Sequence, residues 1–264
     1  MGITAEQFQE LFTRLYSPYL IKDYVIPVRK YEDLPFDEDK PYLQTLMHQV
    51  DLKRREDPFV GAKLAGQEIY ANVLNMLKDG KGVHVETLLA VLGSAGGREC
   101  VDGLIGAMKA LMSDGSDKQL FNSLAGVLGI LVAETANGER YIMGDRIANT
   151  FCSFYDTAAC TQGLGVRSLR PLSQKCAATC GNPEYWETPF DGLVQTSPKK
   201  LAELFAGKFE FSFKTYCRFP HERMIAFALA AQKAVEQSAG VIPKDKAMSI
   251  IAEYGWRTSH YMWE

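Results

Sequence analysis

The chain has 264 residues, of which 47% are hydrophobic and 23% are charged, and its formal net charge at pH 7 is −3. This composition excludes a disordered chain, which would have fewer apolar residues and a higher net charge. It also argues against nucleic acid as a partner, because acidic residues flank the most basic run, Lys53-Arg54-Arg55. We therefore expect a globular protein with a full hydrophobic core.

The sequence predicts neither a secretion signal nor a membrane span. Polar residues such as Glu6 and Glu10 occur where a signal would need an unbroken apolar stretch. The most apolar stretch, residues 120–133, is shorter than the roughly 20 residues that cross a bilayer. In a long chain without a secretion signal, cysteines are typically reduced thiols rather than disulfides. We expect a soluble, cytoplasmic protein. The six cysteines are Cys100, Cys152, Cys160, Cys176, Cys180 and Cys217.

Three helices are predicted in the N-terminal part of the chain. The first begins at a capping box formed by Thr4 and Gln7, and apolar residues follow at helical spacing. Four prolines between residues 17 and 41 then favour extended, irregular chain, with a short strand near residues 24–28. The three helices cover about residues 4–16, 42–55 and 58–78.

The glycine-rich segment at residues 93–97 predicts a corner between a helix at 85–92 and another at 99–112. Such a segment before a helix could also hold a phosphate on its backbone amides. The lysine of a Walker motif is missing, and the spacing departs from Gly-x-Gly-x-x-Gly, so the corner is favoured. Small residues on one side of the second helix permit close approach of another helix: Gly103, Gly106, Ala107 and Ala110.

The strongest local prediction is a β-hairpin at about residues 128–143. Asn137-Gly138 lies between two strand-like runs, and both residues tolerate the positive φ angles of a tight turn. Asp145 is then predicted to cap a helix with apolar side chains at helical spacing. Strand, turn and helix therefore follow one another in this region.

The C-terminal part predicts further helices around a loop at residues 181–198. Phe209, Phe211 and Phe213 alternate with polar residues, which predicts a strand with one buried face. Further helices are predicted at about residues 172–179, 199–205, 222–237 and 244–254.

Together these elements predict an α+β fold that is predominantly α-helical, with a small antiparallel sheet built around the central hairpin. No spacer rich in Ser, Gly or Pro divides the chain, so we expect a single domain over residues 1–264. That domain would have an N-terminal helical lobe at 1–115 and a lobe at 116–264 containing the hairpin and the C-terminal helices. The C-terminal lobe could add a strand to the sheet.

Two pairs of soft ligands form the candidate metal site of the sequence. Cys176 and Cys180 are one helical turn apart, and Cys217 and His221 supply two more ligands, which suffice for tetrahedral zinc. Cys217 and His221 are also the nearest candidates for a nucleophile and its base, although no nucleophile signature surrounds them. The alternative is that these thiols are buried in the core, where free cysteine is common.

Large aromatic residues in the loop and in the C-terminal tail are candidate partner-binding residues. They are Tyr185 and Trp186 in the loop, and Trp256 and Trp263 in the tail. Such residues either anchor a segment to the core or form the centre of a binding surface, and anchoring is favoured here. One exposed patch would instead indicate a surface for a partner.

The hydrolase motifs Gly-x-Ser-x-Gly and His-Glu-x-x-His are both absent from the sequence. The first hypothesis is therefore a non-catalytic cytoplasmic protein without a cofactor that binds a ligand or a protein partner, or that self-associates as a homodimer. The alternative is an enzyme or a zinc-stabilised protein centred on Cys176, Cys180, Cys217 and His221. A pocket lined by titratable side chains would favour the enzyme.

Overall fold

A computed structural model describes residues 28–111, 125–126, 129–161 and 168–263. The described part confirms the predicted class, a predominantly helical α+β fold with one antiparallel hairpin. The predicted first helix at 4–16 lies outside the described residues, as does most of the strand predicted near 24–28. No helix in the described ranges is both long and apolar enough to span a membrane.

The bounds of most predicted helices agree with the structure to within a few residues. The helices are α1 Tyr42–Lys53, α2 Val60–Leu77, α3 Val85–Leu111, α4 Asp145–Ala159, α5 Arg170–Thr179, α6 Pro198–Phe205, α7 Glu210–Tyr216, α8 Pro220–Ser238 and α9 Lys244–Ser259. The strands are β1 Leu131–Glu134 and β2 Arg140–Met143. Short 3-10 helices occur at Tyr31–Asp33 and Pro183–Trp186.

Helix α3 lies at the centre of the fold. It packs against α4, α6, α8 and α9, and α8 packs in turn on α2. One cluster of buried side chains joins residues from both predicted lobes, from Ile69 in α2 to Ile251 in α9. The division into two lobes therefore stays a prediction, while the core is shared between them.

The corner predicted at residues 93–97 is wrong, because α3 continues through these glycines without interruption. A Cβ atom on Gly97 would overlap the carbonyl oxygen of Gly255 in α9, and one on Gly96 would overlap the ring of Phe154 in α4. The glycines therefore allow neighbouring helices to pack closely on α3. This packing offsets the low helix propensity of glycine. When only the sequence is considered, that low propensity argues against a continuous helix.

The strand predicted for Phe209, Phe211 and Phe213 is also wrong, because residues 210–216 form α7. Phe209 and Phe213 are four residues apart, so they share one helix face, and both rings pack against Phe227. Phe211 is 42% exposed, and the Lys40 ammonium lies 4.6 Å from its ring centroid. Three alternating residues are too few to distinguish the repeat of a strand from the repeat of a helix.

The hairpin is confirmed, with strands at 131–134 and 140–143, but its turn is not the predicted one. Glu134 pairs with Arg140, and residues 135–139 form the loop. Gly138 has a φ of 82°, whereas Asn137 does not have a positive φ. The N–H of Gly138 donates to the carbonyl of Thr135 at 2.9 Å, so the loop has one residue with positive φ rather than two.

The other edge of β2 pairs with the C-terminal tail. The N–H of Ile142 donates to the carbonyl of His260 at 2.8 Å, and the N–H of Met262 donates to that of Arg140 at 2.9 Å. The C-terminal part thus adds one bridge to the sheet rather than a full strand.

The start of α4 differs in detail from the prediction for Asp145. Gly144 precedes the helix with a φ of 121°, and Asp145 is the first helical residue, so the side chain of Asp145 does not cap it. A Cβ atom on Gly144 would overlap the carbonyl oxygen of Gly129. Glycine is required there both by the backbone angle and by this close approach.

A network of buried charges joins α1 and the residues after it to the start of α8. The side chains of Arg54 and Glu222 are completely buried and form a two-pronged ion pair, in which Nη2 and Oε2 are 3.2 Å apart. Glu222 also accepts a hydrogen bond from the backbone N–H of Arg218 at 2.5 Å. The carboxylate of Asp51 lies 3.5 Å from the guanidinium of Arg54 and 2.6 Å from that of Arg29. Burial acts to raise the pKa of Asp51, but the hydrogen bonds and charge of Arg29 hold this pKa below its usual range.

Candidate functional site

Two cavities lined by described residues are large enough to hold a small molecule. The aromatic cavity has a volume of about 220 Å³, and its lining includes Tyr141, Cys176, Cys180, Tyr185, Trp256 and His260. The polar cavity has a volume of about 290 Å³, and its polar lining is Glu99, Arg146, Asn149, Thr150, Ser153 and His221. Both cavities contain titratable groups with strongly perturbed pKa values, which are typical of functional sites. The polar cavity is the stronger candidate, because its lining includes a buried carboxyl oxygen, Oε2 of Glu99, that has no hydrogen-bond partner among the described residues.

Three helices position the lining of the polar cavity. Helix α3 supplies Glu99, α4 supplies Arg146 and the three neutral polar residues, and the first turn of α8 supplies His221. The opposite face of α4 is buried in the core, so its polar face is left to line the cavity. Gly103 of α3 lets α8 begin close by, since a Cβ there would lie 3.2 Å from the carbonyl oxygen of Pro220.

Glu99 has the most unusual environment in this cavity. Its Oε2 atom is buried and has no hydrogen-bond partner among the described residues. The nearby arginines form other ion pairs: Arg98 with Asp102 at 3.0 Å, and Arg223 with Glu210 at 2.9 Å. Burial, with a contribution from the charge of Asp102, raises the pKa of Glu99 to about 8. The carboxyl group is therefore mainly protonated at pH 7 and is able to donate a hydrogen bond.

His221 is neutral at the same pH. Burial lowers its pKa to about 4, although the neighbouring Glu222 carboxylate acts in the opposite direction. Its ring stacks on Phe219 with the ring centroids 5.7 Å apart. At pH 7 the cavity lining thus combines a protonated carboxyl, a neutral imidazole and the guanidinium of Arg146.

The structure does not bring together the four residues predicted to bind zinc. Cys176 and Cys180 line the aromatic cavity, whereas His221 lines the polar cavity. In the described part of the chain, which contains all four, no three His, Cys, Asp or Glu side chains are placed to hold a metal ion. Burial raises the pKa of Cys176 to about 11 and raises that of Cys217 far above its ordinary range. These positions argue against a shared zinc site or a reactive thiolate. The alternative of buried thiols fits Cys176, whereas Cys180 and Cys217 are half-buried.

The aromatic residues predicted for partner binding pack on the protein itself. Tyr185 and Trp256 are buried, while Trp186 and Trp263 are half-buried, with ring centroids 6.5 Å apart. The hydroxyl of Tyr185 donates to the carbonyl of Arg257 at 2.9 Å, and the Arg257 guanidinium donates to the carbonyl of Tyr185 at 2.7 Å. The loop and the tail are therefore anchored to α9 and the sheet, and a partner could reach only Trp186 and Trp263 of this set.

Sequence reasoning named His221 but missed Glu99 and Arg146. The available signal was a short charged run in the middle of α3, formed by Arg98, Glu99 and Asp102. Such a run does not show which carboxyl group is buried without a partner or which distant residues lie beside it, so the sequence does not identify the cavity.

Comparison of the chain with protein-family models, with curated proteins and with solved structures finds no match. Function is therefore inferred from the chemistry of the cavity linings, and the lining of the polar cavity is the more distinctive of the two.

We expect Glu99→Gln to stabilise the protein at neutral pH. The pKa of Glu99 is about 8 in the folded state, above its ordinary value of 4.5, so the folded state binds a proton more tightly than the unfolded state. The resulting stability is fully present below pH 4.5 and is lost progressively as the pH rises from 4.5 through 8. The glutamine cannot ionise and avoids this loss, so we expect the variant to be about 3 kcal/mol more stable than the wild type at pH 7.

Urea unfolding between pH 4 and pH 9 measures this difference. Glu203→Gln, at an exposed position of α6, is the matched control and should stay within about 0.5 kcal/mol of the wild type. Identical pH profiles for Glu99→Gln and the wild type would contradict the prediction.

Proposed function

We propose that the protein binds a small polar molecule in the polar cavity. The observation that supports this proposal is the buried Oε2 atom of Glu99, which lacks a hydrogen-bond partner in the described part of the chain. Leaving such a group unpaired costs about 1–3 kcal/mol. A ligand that supplies the missing hydrogen bond would recover that free energy, which would then contribute to the affinity of the cavity for the ligand.

The rest of the lining supports a polar ligand. The lining includes the guanidinium of Arg146 and the neutral side chains of Asn149 and His221, all of them polar groups. Apolar residues, among them Leu104 and Met224, also line the cavity and are suited to the apolar part of a small molecule. Non-catalytic ligand binding, the first hypothesis from the sequence, is the function that this arrangement supports best.

Filling the cavity tests the proposal. Asn149 is exposed at the edge of the cavity, so Asn149→Trp should obstruct it without disturbing the core. We expect at least one polar metabolite in a thermal-shift screen to raise the melting temperature of the wild type. Asn149→Trp should abolish that shift, because the indole ring occupies the ligand volume.

Asn75→Trp is the matched control, because Asn75 is an exposed asparagine of α2 that does not line the cavity. The control should keep the full ligand-induced shift. The proposal fails if no polar compound shifts the wild type, or if Asn149→Trp responds as the control does.

A second candidate function is general acid–base catalysis in the same cavity. The observation that favours it is the pKa of Glu99, about 8, since an acid or base is most effective when its pKa is near the working pH. A pocket lined by titratable groups is also what the enzyme hypothesis expects. Chemical conversion of a bound ligand, with a rate that follows a pKa near 8 and is lost in Glu99→Gln, would identify this function.

We also propose a cytoplasmic location and self-association. All six cysteines, each within the described residues, are free, which fits a reducing compartment. Leu131 and Val132 of β1 are 67% and 41% exposed, and apolar side chains on a strand are suited to contact with a second copy. Mass in solution measured at several protein concentrations tests the second point.

A further inference from the structure

The aromatic cavity is separate from the polar cavity, and no described residue lines both. Its volume of about 220 Å³ exceeds that of an apolar cavity of about 150 Å³ that holds a benzene ring in another protein. The exposed residues Asp145 and Ala177 belong to the lining and mark its opening to solvent. The cavity is therefore large enough for one ring or for two fused rings. Its innermost side chains are each at most 5% exposed: Tyr141, Cys176, Tyr185 and Trp256.

The inner lining presents ring surfaces rather than free hydroxyl groups. The hydroxyls of Tyr141 and Tyr185 both donate hydrogen bonds to other groups of the protein, at 2.9 Å in each case. The two tyrosine rings pack edge to face with their centroids 4.9 Å apart. The rings of Trp256 and His260 stack with their centroids 4.4 Å apart. A surface of this kind favours an aromatic ligand, because aromatic rings pack on one another both edge to face and in offset stacks.

The titratable groups of the inner lining are neutral at pH 7. Burial raises the pKa of Cys176 to about 11 and also raises that of Cys180, so both thiols are protonated. Burial lowers the pKa of His260 to about 4, so its ring carries no charge. The acidic residue of the lining, Asp145, is exposed at the opening. A charged ligand would lose hydration inside the cavity without gaining a counter-charge there, so the lining favours an uncharged molecule.

His260 provides a polar atom that requires a donor from the ligand. Its Nδ1 atom lies 2.9 Å from the carbonyl oxygen of Trp256, and a carbonyl only accepts, so Nδ1 carries the ring proton. The hydroxyl of Ser259 already donates to the same carbonyl and is therefore a second acceptor for Nδ1, at 2.9 Å. The other ring nitrogen, Nε2, is consequently an acceptor, and it receives no hydrogen bond within the part of the chain that the structure describes. An N–H or O–H group of a ligand would satisfy it.

We infer that the aromatic cavity binds an uncharged aromatic molecule with an N–H or O–H group, such as an indole or a phenol, and that this group donates to Nε2 of His260. The ring of the ligand packs on Tyr141, Tyr185 and Trp256. This inference goes beyond the proposed function, because it concerns a second cavity and a different class of ligand.

Isothermal titration calorimetry with matched compounds tests the class of ligand. Indole and benzofuran have the same fused-ring shape, but only indole has an N–H group. Indole should bind at least about threefold more tightly, because benzofuran leaves Nε2 without a partner. Phenol, benzylamine and benzoate each have one ring and differ in charge at pH 7. Phenol should bind at least about tenfold more tightly than benzylamine or benzoate, because each of the latter two carries a charge.

Two adjacent alanines of α5 test the location of the site. Ala177 and Ala178 are both exposed, but of the two only Ala177 lines the cavity. Ala177→Trp should abolish indole binding, because the introduced ring fills the opening. Ala178→Trp is the matched control and should bind indole like the wild type. Asn149→Trp, which obstructs the polar cavity, should also leave indole binding unchanged.

His260→Phe tests the hydrogen bond. Phenylalanine keeps a ring that is able to stack on Trp256 but has no acceptor. The affinity for indole should fall to that for benzofuran, while the affinity for benzofuran should change by less than about twofold. Circular dichroism shows whether the variant folds. If it does not, the comparison of indole with benzofuran in the wild type decides the role of Nε2.

The inference is overturned if neither indole nor phenol binds, if benzofuran binds as tightly as indole, or if Ala177→Trp binds indole like the wild type. Tighter binding of benzylamine than of phenol would also overturn it, since the cavity would then select an organic cation. None of these outcomes affects the proposed function, which concerns the polar cavity and is tested by Asn149→Trp.

Discussion

Arg54→Leu is expected to lower the free energy of unfolding by about 3–5 kcal/mol. The substitution removes the guanidinium that pairs with Glu222, and the carboxylate of Glu222 is then buried without a counter-charge. Asp51 loses a neighbour as well, although it keeps the ion pair with Arg29. The measurement is equilibrium unfolding in urea, followed by circular dichroism.

Arg55→Leu is the matched control, because Arg55 is adjacent in sequence and exposed. It should change the stability by no more than about 0.5 kcal/mol. The double variant Arg54→Leu, Glu222→Leu should be more stable than Arg54→Leu alone, since it no longer buries a lone charge. A loss below about 1 kcal/mol in Arg54→Leu would show that the network contributes little to stability.

Gly97→Ala is expected to lower the free energy of unfolding by about 3 kcal/mol. The added methyl group would overlap the carbonyl oxygen of Gly255 and Oγ1 of Thr258, both in α9. One of these contacts is with backbone, so the two helices must separate to relieve it. This loss exceeds the roughly 1 kcal/mol that alanine gains over glycine inside a helix. Thermal and urea unfolding give the change in stability.

Gly106→Ala provides the control on the same helix. Its new methyl group would be 4.0 Å from Cβ of Pro220, which is an ordinary contact. We therefore expect it to be neutral or stabilising by up to about 1 kcal/mol, through helix propensity alone. Equal losses in Gly97→Ala and Gly106→Ala would contradict this explanation, because only the methyl group on residue 97 overlaps α9.

The sequence predicts well those elements whose signals are local. Apolar side chains at helical spacing identify α4, and Asn137-Gly138 identifies the hairpin. Prediction from the sequence fails where contacts between distant segments determine the local structure. The segment 93–97 is helical because α4 and α9 pack against its glycines, and the alternation of three phenylalanines fits α7 as well as a strand.

The candidate site could not be predicted in the same way. Glu99, Arg146 and His221 come from three helices that are far apart in the chain, and no local spacing relates them. The spacing of Cys217 and His221 suggested a shared ligand set with Cys176 and Cys180. In the structure His221 instead lines a cavity with Glu99, because it lies in the first turn of α8 beside α3.

The buried ion pair also has a consequence for biosynthesis. Arg54 and Glu222 are separated by 168 positions, and α3 likewise packs on α8 and α9 near the other end of the chain. The N-terminal helices emerge from the ribosome well before these partners exist, so they cannot reach their final packing while translation continues. The apolar faces of these helices therefore lack their final packing partners until α8 and α9 have been synthesised.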